Sequence, residues 1–444
     1  MKKLLIIALL AFFANGTVSY GQTYSLQDVV QIVLKNNKEI VNGMLDVSAT
    51  DYKIKEVKSA LLPNAEFNGK SMYYKDLPAQ YVPSSTFGGP EGTYSKVSLN
   101  MKQNTSATFQ VTQNLFNKSV LIGLKSAKTA HQASQLSEKM TEENVVYEVM
   151  STYYSVQVYQ DNLDRLNANI ANLEKTVEIN DVLRKNELVA DNVHRRMLVN
   201  LESLRNEREI QTLQLQQYIT YLKYLMDKPI EEELTVMPFD YSKELKIFDP
   251  ADISERSDLR LQKAQVDLAK YDEKLVKSGF YPVLTSFYSV GYTGFYDEFA
   301  PFKQINDDWV KNSYFGLNLQ VPLFDGFKKR NQIHQKKIEV QKNTNLLAMM
   351  ELKANKELRD AQFNLSTNKN LFINNQRSLE LAESLFASAQ GEYEGGLTSV
   401  TDLLNAQNDL SNARNNYSAA LLNLKLAELA VLKANGTLLS NIEQ

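Results

Sequence analysis

Residues 315–326 read FGLNLQVPLFDG and contain the transition that decides the fold. In the first seven residues apolar side chains alternate with small or polar ones, which is the period of a β-strand with one apolar face. Pro322 ends the alternation, and no proline follows it up to the C-terminus. Since a helix interior excludes proline, the stretch predicts a strand that leads into a long helical region.

The same order of segments occurs twice in the 444 residues. Leu62-Pro63 and Tyr281-Pro282 each precede an alternating aromatic segment and then a long proline-free run, and all ten prolines lie outside the two runs. Self-similarity at a fixed offset indicates a duplicated fold. We predict repeats at 22–240 and 241–444, strand hairpins at about 64–113 and 283–322, and helical hairpins at about 117–228 and 325–436.

The N-terminus has the pattern of a secretory signal peptide. Lys2-Lys3 precede an apolar run, Leu4–Ala14, and small residues follow at Ser19 and Gly21. The apolar run is shorter than the roughly 20 residues that a membrane-spanning helix needs. We therefore predict export, with cleavage after Gly21 and a signal peptide over 1–21.

Composition argues against several classes of function. The chain has no cysteine, and its net charge of -3 with interspersed signs gives no basic surface for nucleic acid. Its three histidines lack any metal-ligand spacing, so no catalytic, cofactor-binding or metal-binding residues are predicted. We interpret His194, with Arg195 and Arg196, as part of a solvated or partner-facing basic surface.

Four strands are predicted per chain. The clearest covers Phe315–Val321, and its counterpart in the first copy carries Ala107, Phe109 and Val111 on one face. Upstream of this counterpart, the odd-numbered positions Val97, Leu99 and Met101 continue the alternation of apolar and polar side chains. Two weaker strands cover about 65–74 and 284–296, and loops are predicted at 77–93 and 297–312.

These strands require cover for their apolar face. A soluble sheet with one wet face is one reading, but the neighbouring helices are too long and too amphipathic to fold back over it. A membrane barrel closes with about eight strands or more, so several copies would have to share one barrel. On that reading six alternating side chains face lipid: Phe109, Val111, Phe315, Leu317, Leu319 and Val321.

The helical runs are unusually long. Residues 118–184 alone predict about 100 Å of helix at ~1.5 Å per residue. The second return helix carries a coiled-coil-like seam with steps of three and four, formed by Leu403, Ala406, Leu410, Ala413, Tyr417, Ala420, Leu424, Ala427 and Val431. Shifted by about 209 positions, the first return helix shows the same seam with a more polar middle. Tight turns are predicted at 186–190 and 395–399, with Ser399 as N-cap and Asp402 in the first helical turn.

At these residues the chain resembles the outer-membrane efflux protein family. The matching pieces are Tyr393–Gln407 with Leu410, Ala413-Arg414 and Tyr417, then Glu187–Ala190, Val321–Gly326, Gln113–Phe116, Leu62-Pro63 and Tyr281-Pro282. Each motif alone is weak, but their order, duplication and spacing are specific, and together they cover the mature chain.

The resemblance implies a mainly α protein with a β membrane part. Three copies would contribute four strands each to one twelve-stranded barrel in the outer membrane of a Gram-negative bacterium, and duplicated helical hairpins would form a periplasmic tunnel. It also implies a passive duct for drugs, metals or secreted proteins. The implied partners are two further copies of the chain, a periplasmic adaptor, an inner-membrane pump or ABC exporter, and outer-membrane lipid.

The family's functional residues lie at the tunnel entrance. Tyr393 and Asp402 match positions that close or line the entrance, whereas Asn405, Thr398 and Val193 depart from the family's aspartate, arginine and aspartate. Asp402 would either form a ring of carboxylates facing the pore or serve only the helix N-terminus. The two turns are the expected adaptor contacts, through Glu187, Leu188, Val189, Ala190, Gly396, Leu397 and Ser399.

Three other classes of protein fit less well. A periplasmic adaptor has one helical hairpin per chain and a membrane anchor, whereas this chain shows two hairpins and no predicted anchor. An enzyme on a helical scaffold would need convergent titratable groups, which the sequence does not indicate. A simple porin needs no helical extension of this length. A periplasmic adaptor, or a helical scaffold protein without a pore, remains the alternative function.

Overall fold

The computed structural model describes residues 23–239, 253–299 and 309–441. The predicted signal peptide lies outside the described residues. The first part of the chain forms β1 (Thr23–Tyr24), α1 (Leu26–Asn36), α2 (Lys38–Ser59), β2 (Asn64–Tyr73), β3 (Gln80–Pro83), β4 (Tyr94–Val97), β5 (Gln103–Asn117), α3 (Lys118–Lys185) and α4 (Asp191–Leu225). The second part forms β6 (Thr235–Val236), α5 (Ser257–Ser278), β7 (Val283–Tyr296), β8 (Trp309–Gln320), α6 (Lys328–Glu394) and α7 (Val400–Asn435).

The chain divides into two compact units. The helical unit lies within residues 1–47, 134–263 and 345–444, and the sheet unit comprises 48–133 and 264–344. In the helical unit a core of valines, leucines and tyrosines packs α1 against parts of α3, α4 and α7, beside the two parallel strands β1 and β6.

The sheet unit is built on one antiparallel sheet with the order β2-β5-β7-β8. The hairpins β2–β5 and β7–β8 come from the two copies, and β5 joins them by pairing along its length with β7, from Gln103 opposite Tyr296 to Asn117 opposite Val283. Among the described residues, the outer edges of β2 and β8 have no strand partner. The predicted four strands in two hairpins are therefore present as one sheet with two open edges.

The two faces of this sheet differ in chemistry. Val111, Tyr288 and Phe315 stand in one row across β5, β7 and β8, so the apolar sets predicted separately in the two copies share a face. The opposite face carries mostly polar side chains in the rows of Asn68, Thr108, Gly291 and Asn312 and of Glu66, Gln110, Ser289 and Tyr314. Phe315 is 88% exposed, so none of the described residues covers the apolar face there.

Some strand boundaries differ from the prediction. β8 begins at Trp309, inside the predicted loop 297–312, because it continues to pair with β7 as far as Gly294. The loop predicted at 77–93 contains β3, which pairs with β4, so Val97 belongs to this small separate hairpin. Leu99 and Met101 lie outside any strand, since the main hairpin is closed by the N–H of Tyr74 donating to the carbonyl of Lys102 at 2.7 Å.

The long helices follow the predicted pattern. α3 and α6 have 68 and 67 residues. The predicted seam of α7 is buried at most of its positions, including Leu403, Leu410 and Val431. In α4 the seam is buried at its ends, at Leu201 and Leu222, and only half-buried at Arg208, which confirms the looser middle. Among the described residues, none of the helices combines the length and apolar character that crossing a membrane requires.

Candidate functional site at the turns of the helical hairpins

The two helical hairpins end in turns of the same geometry. Glu187 and Gly396 both have a left-handed backbone, with φ of 61° and 71°. In each turn the residue after the left-handed one donates its backbone N–H to the carbonyl of the residue five positions earlier. The N–H of Leu188 donates to Leu183 O at 2.9 Å, and the N–H of Leu397 donates to Glu392 O at 2.8 Å. A left-handed residue followed by such a bond is the Schellman arrangement that ends many helices. The duplication is therefore preserved in backbone detail.

Each turn presents an apolar side chain to solvent. Leu188 is 71% exposed and Leu397 is 82% exposed, directly after the left-handed residue. Their neighbours Glu187, Ala190, Gly396 and Ser399 are exposed, and Val189 is half-buried. The residues predicted to contact an adaptor thus form two matching exposed turns, while the contact itself stays a prediction.

Asp402 caps the second return helix together with Ser399. The hydroxyl of Ser399 accepts from the N–H of Asp402 at 3.2 Å and donates to its carboxylate at 2.6 Å, and Thr398 Oγ1 donates to the same oxygen at 3.3 Å. The hydrogen bond from Ser399 is the main reason that the pKa of Asp402 lies below its ordinary value. This is the predicted capping role. The carboxylate is also exposed, and Asn405 is exposed one turn further along the helix.

Tyr393 connects the second hairpin to the first. Asn180, on α3, donates from Nδ2 to the hydroxyl of Tyr393, on α6, at 2.7 Å. The Asn180 side chain is fully buried, and its Oδ1 has no partner among the described residues. Tyr393 could be predicted from its local motif, but Asn180 could not, because 213 positions separate the two residues.

The same contact lies beside a hydrophobic core that both hairpins share. α3 and α4 contribute Leu173, Val177 and Met197, and α6 and α7 contribute Ala389 and Leu403. Tyr393 and Val193 pack against this cluster. Apolar burial therefore holds the two hairpin ends together. The Asn180–Tyr393 hydrogen bond, which has a preferred geometry, makes their relative orientation more specific.

The predicted basic surface around His194 is wrong. The carboxylate of Asp181 pairs with Arg184 at 2.8 Å and Lys185 at 2.7 Å, and His194 Nε2 lies 3.8 Å from the same carboxylate. The hydrogen bonds from Lys185 and then Arg184 lower the pKa of Asp181 to about 2. Because the chain turns back between α3 and α4, Asp181 is brought beside His194, and the region has a mixed charge.

Asp191 completes this mixed-charge cluster. It lies 2.7 Å from Arg195 and 3.5 Å from Arg184, which links the end of α3 to the start of α4. The spacing of Asp181, Arg184 and Lys185 at i, i+3 and i+4 was a sequence signal for part of the cluster. Within the described part of the chain, no group of three or more His, Cys, Asp or Glu side chains is placed to hold a metal ion.

Comparison with known proteins agrees with this architecture. Residues 252–437 match the model of the outer membrane efflux protein family. Outer membrane protein TolC of Escherichia coli (strain K12) is 25% identical to this chain over an alignment of 458 residues. The alignment covers 99% of this chain and 87% of TolC. The predicted resemblance to the outer membrane efflux proteins is confirmed. The location predicted for the chain, the outer membrane, is confirmed with it.

Two solved channels have the same fold. The outer-membrane channel OprN has a TM-score of 0.74 at 16% identity, with 93% of this chain and 89% of OprN covered. VceC of Vibrio cholerae has a TM-score of 0.71 at 15% identity, with 93% and 96% covered. The predicted fold class is that of these channels. In sequence and in fold the chain is thus similar to outer-membrane efflux channels, which are transport proteins.

Proposed function

We propose that this outer membrane efflux protein is the passive exit duct of a tripartite exporter. Three copies share one twelve-stranded barrel, their helical hairpins form a periplasmic tunnel, and the hairpin turns receive a periplasmic adaptor that links the tunnel to an inner-membrane pump or ABC exporter. The exported cargo is a small molecule, such as a drug or a metal ion, or a secreted protein. The duct carries out no chemistry of its own, and the energy comes from the inner-membrane partner.

The observation that carries this proposal is the four-stranded sheet with two open edges. The edge strands β2 and β8 have similar lengths, 10 and 12 residues, and expose unpaired backbone groups. Unpaired backbone groups within a membrane cost several kcal/mol each, so such a sheet has to close. Pairing β8 of one copy with β2 of the next satisfies both edges. Three copies give twelve strands, which is enough for a barrel with an open interior.

The chemistry of the two sheet faces supports the same arrangement. The apolar row of Val111, Tyr288 and Phe315 suits contact with lipid, and Leu317 and Leu319 continue this face toward the end of β8. The opposite face, with Asn68, Thr108 and Asn312 in one row, suits a wet channel. Apolar-out and polar-in alternation is the pattern of transmembrane barrels. We accordingly propose Phe109, Val111, Phe315, Leu317 and Leu319 as lipid-facing, with Val321 just beyond the strand.

The hairpin turns suit the role of an adaptor contact. Leu188 and Leu397 stand exposed on rigid left-handed turns, and paired apolar anchors of this kind favour docking of another hairpin. Asp402 and Asn405 lie one turn apart on α7 and are proposed to face the entrance. Tyr393, with Thr398 nearby, is proposed to hold the entrance closed through its bond to Asn180.

Native mass and conductance test this function together. The mature protein is extracted from outer membranes in mild detergent, its mass is measured by native mass spectrometry, and the same sample is added to planar lipid bilayers. The proposal expects a particle of three chains that forms discrete ion-conducting channels. Recovery as a monomer, or a trimer that never conducts after the hairpin turns are removed by protease, would contradict it.

A further inference from the structure

We propose that the junction between β8 and α6 is a binding site for an anionic phospholipid headgroup in the periplasmic leaflet of the outer membrane. The site combines an exposed apolar lip, Leu323, Phe324 and Phe327, with the basic run Lys328, Lys329 and Arg330. It rests on the proposed function, in which the end of β8 that leads into α6 lies at the periplasmic surface. Phospholipids form that leaflet.

The apolar lip is strongly exposed and follows directly on the strand β8. Leu323 is 92% and Phe324 is 78% exposed, and both lie within a few residues of the end of β8 at Gln320. Phe324 and Phe327 meet edge to face, with ring centroids 5.5 Å apart. Aromatic side chains at the rim of a barrel are typical of the membrane–water interface. The lip is therefore placed where acyl chains meet headgroups.

Phe327 is held in an unfavourable backbone conformation. Its φ is 64°, next to Gly326 with φ of 66°, so two consecutive residues are left-handed. A bulky residue rarely adopts this conformation, and such outliers concentrate at ligand sites and switches. The turn brings the Phe327 ring back beside Phe324 instead of letting it follow the helix. In this proposal, burial of the Phe327 ring in lipid offsets the cost of the strained turn.

Three cations occupy the first turn of α6, where the helix dipole disfavours positive charge. Lys329 is partly compensated, since its Nζ lies 3.4 Å from Asp325 and 5.3 Å from the ring centroid of Phe280. Lys328 and Arg330 are exposed, and within the described part of the chain no ion pair involves either of them. The carboxylate of Asp325 already accepts from the N–H of Lys329 at 3.1 Å and so serves the helix N-terminus, which leaves the charges of Lys328 and Arg330 for a further anion.

The lip and two of the cations enclose one cleft. The cleft has a volume of about 360 Å³ and is lined by Phe280, Leu323, Phe324, Phe327, Lys329 and Arg330, among others. Its walls are apolar on the side of the sheet, its cationic lining comes from Lys329 and Arg330 at the start of α6, and the carboxylate of Asp325, which also lines it, is paired with Lys329. A phosphate diester with an attached acyl chain has this same division of chemistry. The first copy has a single lysine, Lys118, at the corresponding junction, so the basic run belongs to the second copy alone.

The test measures lipid selectivity of the purified trimer. Short-chain phosphatidylglycerol and phosphatidylcholine are titrated separately, and bound lipids are counted by native mass spectrometry. The wild type is expected to bind phosphatidylglycerol more tightly, and Lys328→Gln with Arg330→Gln is expected to reduce that preference on the order of tenfold. Lys369→Gln with Arg377→Gln, which removes two exposed charges elsewhere on α6, should leave the preference unchanged. An unchanged preference in the junction variant would overturn the proposal.

A second variant examines the apolar lip. Phe324→Ser with Phe327→Ser is expected to weaken binding of both lipids while the protein remains a conducting trimer. If instead the trimer dissociates and phosphatidylglycerol preference persists, a second copy of the chain covers this face and the lipid site is wrong. A wild-type trimer that conducts without lipid preference defeats this inference alone. A monomer without channels defeats the proposed function.

Discussion

The buried amide of Asn180 donates a 2.7 Å hydrogen bond to the hydroxyl of Tyr393 and so ties α3 of one hairpin to α6 of the other. The link joins an amide to a hydroxyl rather than two charges, so it does not weaken steeply with salt. Asn180 is fully buried, and Tyr393 packs against the nearby core of Leu173, Val177, Met197 and Leu403. Relative movement of the two hairpin ends has to break this bond, which makes it the natural latch of the proposed entrance.

Removing the tyrosine hydroxyl tests the latch. Tyr393→Phe keeps the ring packing but leaves Asn180 Nδ2 buried without a partner, at a cost of about 1–3 kcal/mol. We expect a higher open probability in bilayer recordings and faster hydrogen exchange around both turns. The double variant Asn180→Leu with Tyr393→Phe replaces the unpaired amide by an apolar side chain and should restore part of the stability. Identical gating in the wild type and Tyr393→Phe would remove the bond from the closing mechanism.

Substitution of Asp402 distinguishes a role in the pore from a role in capping the helix. If its carboxylate faces the lumen, three copies form an acidic ring, and Asp402→Asn lowers the preference for cations. Reversal potentials across a salt gradient measure this preference. Asp409→Asn, an exposed acid further along α7, is the matched control. Unchanged reversal potentials would leave Asp402 with Ser399 as a helix cap only.

The Asp181 cluster predicts a response to acid at the first turn. Its pKa of about 2 lies below the ordinary 3.8, so the stability that the ionised carboxylate contributes is complete above about pH 4. That contribution is lost as the pH falls through about 2. Pepsin cleavage near Leu188 should therefore be faster in Asp181→Asn than in the wild type at pH 4, and the two rates should converge at pH 2. Equal rates at pH 4 would mean that the cluster does not order the turn, and cleavage at Leu397 is the internal control.

The left-handed turns predict opposite effects of two substitutions. Gly396→Ala adds a Cβ at φ of 71° and should destabilise the turn by about 1–2 kcal/mol. Glu187→Gly removes the Cβ at the equivalent position and should be neutral or stabilising. Gly395→Ala, beside Gly396 but without a positive φ, is the control. Thermal unfolding midpoints measure all three, and equal midpoints for Gly396→Ala and Gly395→Ala would contradict the account.

Local patterns predicted most of this fold because they are periodic and repeated. The alternation of Phe315, Leu317 and Leu319 and the seam of α7 each follow from the spacing of apolar residues in one element. The β3–β4 hairpin was missed because its strands have only four residues each and lie among glycine, proline and serine. The start of β8 was missed because Trp309–Asn312 is polar on average, and pairing with β7 decides its conformation.

The candidate site was less predictable because it depends on contacts between distant segments. Tyr393 could be singled out from its neighbours, but its partner Asn180 lies in the other hairpin. His194 and Arg195 looked basic in sequence. The fold brings Asp181, near the end of α3, to within 3.8 Å of His194, whereas the pairing of Asp191 with Arg195 is local to α4 and follows from their spacing. The bond between Asn180 and Tyr393 appears only after both copies of the duplication are packed together.

The proposed trimer requires that the open edges β2 and β8 pair between copies. One cysteine replaces Phe67 on β2, and a second replaces in turn each alternate residue of β8 from Trp309 to Leu319; the natural chain has no cysteine to interfere. Within one sheet these strands are three spacings apart, about 14 Å, which a disulfide cannot bridge. The account predicts that one register gives a covalent trimer on a non-reducing gel and no larger species. Absence of cross-links at every register, or a ladder that continues past three chains, would contradict it.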